Sequence, residues 1–190
     1  MLPAGYLREG SIPSGPPTTI SSPHKLAALH SAICWTLAGA GRRRGRRFEF
    51  TRPGSLYFGA AGGLGWGLPA AIGMQLGDPS RRVVALLGDG AVHYSVSGLW
   101  TAAQYNIPVV FVVARNSEYR ALKEFTRLMH APDTPGLELP GMDIPGIATS
   151  YGVPSERVKS LSELTSAVKD GLSSDRPTLI EISERRLAGS

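Results

Sequence analysis

Two oxygen-bearing side chains each follow a short apolar run of this 190-residue chain, and together they indicate a metal site. Asp89 stands between Gly88 and Gly90 directly after one run, and Asn116 comes shortly after the next. Mg²⁺ accepts carboxylate and amide oxygens and commonly leaves its other positions to water and phosphate. The two glycines lack side chains, so backbone amides can approach a diphosphate closely. The pattern predicts a magnesium and diphosphate site.

The apolar runs have the composition of buried parallel strands, with a helix between them. Residues 83–87 and 109–113 are rich in valine and end at turn residues. Residues 95–105 carry apolar side chains at helical spacing, and a proline follows before the second strand. Such a crossover is almost always right-handed, which places Asp89 and Asn116 at the same, carboxyl edge of the sheet.

A second interpretation of these two residues needs no ligand. Aspartate is common at helix starts and asparagine in turns, so Asp89 could cap a helix and Asn116 could close a turn. We favour the metal site because the residues occur where strands run into turns.

A glycine-rich turn at residues 59–67 leads into a helix of small residues at 68–76. The spacing of its glycines does not match the dinucleotide fingerprint, and a P-loop is excluded because no Gly-Lys pair occurs. The glycines therefore indicate either close approach of another cofactor or tight packing against the sheet.

The sequence resembles the thiamine diphosphate-dependent decarboxylase and synthase family, and within it the benzoylformate decarboxylases. The resemblance lies in RPGSLYFGAAGGLGWGLPAAIG, in GDG at residues 88–90, in YSVSGLWTAAQYNIPVVFVV and in the position of Asn116, and it extends from about residue 52 to 183. It implies an α/β fold with a parallel sheet and helices on both faces, binding thiamine diphosphate and Mg²⁺. It also implies decarboxylation of a 2-oxo acid such as benzoylformate. An acetolactate synthase-like carboligase and a noncatalytic remnant that binds a cofactor or a partner are the alternatives.

The resemblance also implies roles for individual residues. Asp89, the Asn116 side chain and the backbone carbonyl of Glu118 would hold the metal. Leu122 and Phe125 match positions that face substrate, although packing of a helix at residues 119–129 into the core explains them nearly as well. The residues expected to contact the cofactor are Gly62, Leu64, Gly88, Gly90, Ala91 and Tyr119.

The resemblance implies that Gly62 would offer a backbone oxygen to the aminopyrimidine of the cofactor and that the side chain of Leu64 would hold the cofactor in a bent conformation. Arg115 and Ser117 depart from the usual pattern, in which two asparagines precede a glycine. The serine must therefore adopt a backbone conformation suited to glycine. No catalytic residue is assigned, because the resemblance places the activating glutamate in a pyrimidine-binding domain that this chain does not match.

Residues 1–47 differ in composition from the rest. Residues 1–23 are rich in Pro, Gly, Ser and Thr, which predicts a flexible leader, and residues 23–37 show helical spacing, which predicts a short helix. The five arginines at 42–47 equal the whole formal net charge of +5, and we interpret them as a solvated junction. The predicted division is a 1–47 segment and a cofactor-binding domain at 48–190.

The remaining chain predicts an irregular connection at residues 131–146, helices at 143–151 and 161–172, and a strand at 178–182. A single cysteine excludes an internal disulfide, and neither a signal peptide nor an apolar run of about 18 residues is found. We expect a cytoplasmic protein. Its expected partners are a 2-oxo acid, a pyrimidine-binding domain of the same or another chain, and further copies in a homo-oligomer, but neither nucleic acid nor a membrane.

Overall fold

The computed structural model describes residues 32–36, 54–57, 59 and 63–183, with the backbone alone at 32–36. Within this part of the chain, six parallel strands form one sheet. The strands are β1 (Ala32–Thr36), β2 (Leu56–Tyr57), β3 (Val83–Gly88), β4 (Val109–Arg115), β5 (Ser155–Val158) and β6 (Thr178–Ser183). The helices are α1 (Gly67–Gly77), α2 (Asp89–His93), α3 (Gly98–Gln104), α4 (Arg120–Leu128), α5 (Ile144–Ser150) and α6 (Leu161–Ser173). The strand order across the sheet is β2-β1-β3-β4-β6-β5.

Strand β4 lies between β3 and β6 and is covered on both faces. Phe111 and Val113 face one apolar cluster, which includes residues of α1, α3 and α5, whereas Val110 and Val112 face a second one under α6. A valine-rich run without polar alternation suits a strand buried on both sides. The predicted parallel sheet with helices on both faces is therefore confirmed. No helix in the described ranges is long and apolar enough to cross a membrane.

Away from the carboxyl edge of the sheet, two buried polar side chains form hydrogen bonds that link a helix to a strand and one strand to another. Gln75 of α1 accepts a hydrogen bond from the Val83 amide at 3.0 Å, which fixes the start of β3. Glu181 of β6 accepts one from Arg157 of β5 at 2.5 Å, and Arg157 also pairs with Asp143 at 2.8 Å. The edge strand β5 is thus tied to the sheet by charge as well as by backbone pairing.

The helix predicted at residues 23–37 is wrong at Ala32–Thr36, where the backbone forms β1 and pairs with both β2 and β3. Apolar residues three or four apart matched the spacing of a helical face. A strand of five residues is too short for the alternating pattern of a strand to be recognised in the sequence. The leader and the arginine run lie outside the described residues. The boundary at residue 48 stays a prediction, although β1, which precedes it, belongs to the same sheet as β3.

The other predicted strands are confirmed at residues 83–87, 109–113 and 178–182, and the predicted helices correspond to α1, α4, α5 and α6. The helix predicted from residue 95 begins only at Gly98, because a turn at residues 94–97 separates it from α2. Strand β5 was not predicted, since its SERV sequence lacks an apolar run.

Candidate cofactor and metal site

Asp89 joins the carboxyl ends of the two central strands. Its side chain is only 3% exposed, and its Oδ1 accepts a hydrogen bond from the Gly90 amide at 2.9 Å. Its Oδ2 accepts from the amide of Asn116 at 3.1 Å and from that of Ser117 at 2.6 Å. Three amides therefore orient one carboxylate, which holds the loop after β4 against the start of α2.

Asn116 closes a turn in the same loop, because its Oδ1 accepts a hydrogen bond from the Glu118 amide at 3.0 Å. The turn interpretation is thus confirmed for Asn116. Capping by the Asp89 side chain is not observed, since Gly88 is the N-cap of α2 and no side-chain cap bond forms there. This turn uses one of the two lone pairs of the Asn116 amide oxygen.

The donor set fits a small hard cation. No basic side chain in the described ranges pairs with Asp89, so its buried charge is oriented by amides without a counter-ion. Three of the carboxylate's roughly four lone-pair sites accept amides, two of them on Oδ2, so the remaining site is on Oδ1. Burial of an uncompensated carboxylate is costly. One carboxylate and one amide oxygen are what Mg²⁺ takes when phosphate and water supply its other ligands.

Ser117 has a φ of 60°, the left-handed region expected where the resemblance has a glycine. Its amide donates to Asp89, and its carbonyl accepts from the Leu139 amide at 2.9 Å. These bonds hold a serine in a conformation that costs a residue with a Cβ about 1–2 kcal/mol.

Replacement of Ser117 by glycine should therefore stabilise the chain. We expect the free energy of unfolding to rise by about 1 kcal/mol, less than the full strain because glycine also gains freedom in the unfolded chain. Urea denaturation would measure the change. Ser117→Ala is the matched control, since it keeps the Cβ, and an equal gain from both variants would contradict the strain assignment.

Most of the predicted residues line an open cleft at this edge, with about 400 Å³ of space, part of it open to solvent. Its lining residues are Leu64, Gly88, Asp89, Gly90, Ala91, Asn116, Glu118, Tyr119, Arg120, Ala121 and Leu122. Gly62 lies outside the described residues. Phe125 is 59% exposed and is not among the lining residues, and no residue of α4 is buried. Packing of α4 into the core of this chain is therefore wrong.

The ring of Tyr119 fills the space beside Gly90. A Cβ at Gly90 would lie 2.7 Å from two ring carbons of Tyr119, so only glycine fits there. Tyr94 meets the same ring edge-on, with centroids 5.8 Å apart and an interplanar angle of 78°. Burial raises the pKa of Tyr119, as do the nearby Tyr94 and Asp89. Tyr119 is thus a neutral, positioned wall of the cleft.

Charged residues that the sequence patterns did not identify surround Glu118. Its Oε1 accepts from Arg120 Nε at 3.0 Å, and its Oε2 accepts from Lys123 Nζ at 2.7 Å. These cations, Lys123 foremost, lower the pKa of the Glu118 carboxyl despite partial burial. Lys123 also pairs with Glu138, which lies opposite Glu118 in an antiparallel bridge. Glu118 and Lys123 are five residues apart, and Glu118 lies before α4, so the pair has neither the i,i+3 nor the i,i+4 spacing that marks a helical ion pair in a sequence.

Comparisons with known proteins agree with this arrangement. Residues 39–182 match the family model of the thiamine pyrophosphate enzyme C-terminal TPP binding domain. The chain is 47% identical over 137 residues to benzoylformate decarboxylase of Pseudomonas aeruginosa, covering 72% of this chain and 26% of that protein. It is 34% identical over 118 residues to the acetolactate synthase large subunit of Haemophilus influenzae, covering 60% and 20% respectively. The chain therefore spans between a fifth and about a quarter of the length of these relatives.

Solved structures show the same relationship. A thiamine diphosphate-dependent 4-hydroxybenzoylformate decarboxylase of Rhodococcus jostii superposes with a TM-score of 0.76 at 42% identity, covering 80% of this chain and 29% of that one. Benzoylformate decarboxylase of Polynucleobacter necessarius superposes with a TM-score of 0.76 at 37% identity, covering 85% and 30%. The matched segment, the sequence identities and these superpositions establish that the chain belongs to the thiamine pyrophosphate enzyme family, as a C-terminal TPP-binding domain similar to that of benzoylformate decarboxylases.

Proposed function

We propose that this chain binds thiamine diphosphate and Mg²⁺ in the cleft and serves as the diphosphate-binding part of a 2-oxo acid decarboxylase. The observation that carries the proposal is the buried Asp89 carboxylate, which has three amide donors and no basic partner in the described ranges. A divalent cation would neutralise this charge and link it to the diphosphate.

Each residue has a distinct part in this proposal. Asp89 and the side chain of Asn116 would bind the metal, together with the backbone carbonyl of Glu118. Gly88, Gly90, Ala91 and Tyr119 would border the diphosphate, and Gly62 and Leu64 stay predicted contacts of the cofactor's rings. When bound, the cofactor supplies the nucleophilic carbon and the electron sink that decarboxylation needs.

The substrate side of the cleft favours an apolar 2-oxo acid. Leu64, Ala121 and Leu122 contribute its apolar lining, and Phe125 lies one turn of α4 beyond. The names of the relatives point to benzoylformate-like substrates for those proteins. A carboligase of the acetolactate synthase type is the second candidate, supported by the 34% identity to such a subunit.

The site needs a further domain for catalysis under this proposal. The chain spans about a quarter of the benzoylformate decarboxylase that it matches, and Leu122, Phe125 and Leu128 of α4, with Met129 directly after the helix, form an exposed apolar stripe. We propose that a pyrimidine-binding domain of the same or another chain supplies the activating glutamate, within a cytoplasmic homo-oligomer.

Calorimetry tests cofactor binding directly. Titration of the chain with thiamine diphosphate should give saturable heat in the presence of MgCl₂, and loss of that heat when EDTA removes the metal, because the diphosphate and Asp89 repel each other without a cation. Equal binding with and without metal would contradict the assigned metal site, and no binding under either condition would contradict the proposed function.

A further inference from the structure

Helix α4 borders the cleft, and within the part of the chain that the structure describes neither apolar cluster includes a residue of it. None of its residues is buried, and Leu122, Phe125 and Leu128 are exposed. The helix nevertheless carries Arg120, Ala121 and Leu122, which form one wall of the cleft. Since tertiary packing normally holds a short helix in place, other contacts must position this one.

Those contacts converge on Lys123. Its ammonium group donates to Glu118 Oε2 at 2.7 Å and also to Glu138, so it joins α4 to two separate backbone segments. We call this set, Glu118, Lys123 and Glu138, the lysine clasp. The side chain of Lys123 is 22% exposed, the least exposed of the side chains in its two ion pairs.

The two glutamates of the clasp face each other in the backbone. Glu118 and Glu138 form an isolated antiparallel bridge, flanked by hydrogen bonds from the Tyr119 amide to the Leu137 carbonyl at 2.8 Å and from the Leu139 amide to the Ser117 carbonyl at 2.9 Å. Like charges directly opposite each other on paired backbones are destabilising. Removal of the Lys123 charge would take away the cation that both glutamates share, and the pair between Arg120 and Glu118 would offset only part of the repulsion next to the predicted metal loop.

We propose that Lys123 is a positioning residue, which holds α4 and the 137–139 segment against the loop at 116–119 and so keeps the cleft wall in place before any ligand arrives. The role of Lys123 in positioning α4 is inferred from contacts within this chain. Only the statement that this wall of the cleft faces substrate rests on the proposed function. Its effect is local, because the sheet and the two apolar clusters contain none of the clasp residues.

Hydrogen exchange on the chain without cofactor tests this. Lys123→Met should raise the exchange rates of amides in α4 and at 137–139 by about tenfold, because the two glutamates lose the cation that they share, while β4 amides keep their protection. Lys169→Met is the matched control, since Lys169 is an exposed lysine on α6. It should change neither region.

A second substitution separates the clasp from a general loss of structure. Glu138→Gln in the Lys123→Met background removes the repulsion and should restore much of the protection of α4. Unchanged exchange in Lys123→Met, equal loosening of β4, or no recovery in the double variant would overturn the proposal. If Lys123→Met does not fold, the same exchange measurement is made on the unaltered chain in 1 M NaCl. Salt should screen the ion pairs of Lys123 and raise the exchange rates of α4 amides selectively, and unchanged rates in α4 would overturn the proposal. None of these outcomes depends on whether thiamine diphosphate binds.

Discussion

Replacement of Asp89 by alanine is expected to abolish magnesium-dependent binding of thiamine diphosphate. The substitution removes the buried carboxylate that would bind the metal, and it also frees the amides of Asn116 and Ser117 that the carboxylate orients. Loss of groups that merely orient metal ligands costs about 10–100-fold in affinity, so loss of a direct ligand should weaken binding by more than about 100-fold. Calorimetry with MgCl₂ would measure the change.

Two further variants show which part of Asp89 matters. Asp89→Asn keeps an oxygen that can accept the amides of Asn116 and Ser117 but removes the charge and turns its NH2 group toward the Gly90 amide. It should fold with some loss of stability and lose most of the metal-dependent affinity. His93→Ala changes an exposed residue of the same short helix and should bind like the unaltered chain. Tight, magnesium-dependent binding by a folded Asp89→Ala chain would show that the metal lies elsewhere.

The chain alone is expected to release carbon dioxide from benzoylformate at rates far below about 1 s⁻¹, the low end for ordinary enzymes. Under the proposed function the described cleft would provide a metal site and an apolar wall, and the resemblance assigns the activating glutamate to a domain that the chain does not match. Positioned acid and base groups typically contribute about 10²–10⁴-fold in rate. Addition of a pyrimidine-binding domain should therefore raise turnover by roughly this factor.

The assay would follow carbon dioxide release from benzoylformate and pyruvate, with thiamine diphosphate and MgCl₂ present. The Asp89→Ala chain mixed with the same added domain serves as the control, and it should stay inactive. Turnover near 1 s⁻¹ by the unmixed chain would contradict the need for a second domain. Formation of acetolactate from pyruvate in the mixture would favour the carboligase over the decarboxylase.

The sequence predicted that the site lies at the carboxyl edge of the sheet, because each metal-type residue closely follows a predicted strand. Asp89 and Asn116 each follow a valine-rich strand directly, and parallel pairing then fixes where both must lie. Leu122 could be placed in the cleft only through the resemblance, since an apolar residue on a helix looks the same in a core and in a cavity wall.

Other features depended on contacts that no local pattern encodes. The pairing of Lys123 with Glu138 joins a helix to an irregular segment, and both residues have the ordinary appearance of a solvated surface. The clash that reserves Gly90 for glycine comes from the ring of Tyr119, which reaches it across the loop after β4. The strand at Ala32–Thr36 was mistaken for a helix because its strand character is set by its neighbours in the sheet.

The position of β1 has a practical consequence for any attempt to shorten the protein. It lies between β2 and β3, so removal of residues 1–47 would take a strand out of the sheet's interior rather than from its border. The backbone groups of β3 that pair with β1 at Ala32–Thr36 would lose their partners, and the two-residue β2 would have no neighbour. An uncovered row of strand amides and carbonyls is a template for pairing with other chains. Such a truncated chain would therefore be prone to aggregation even though it retained every residue of the described cleft.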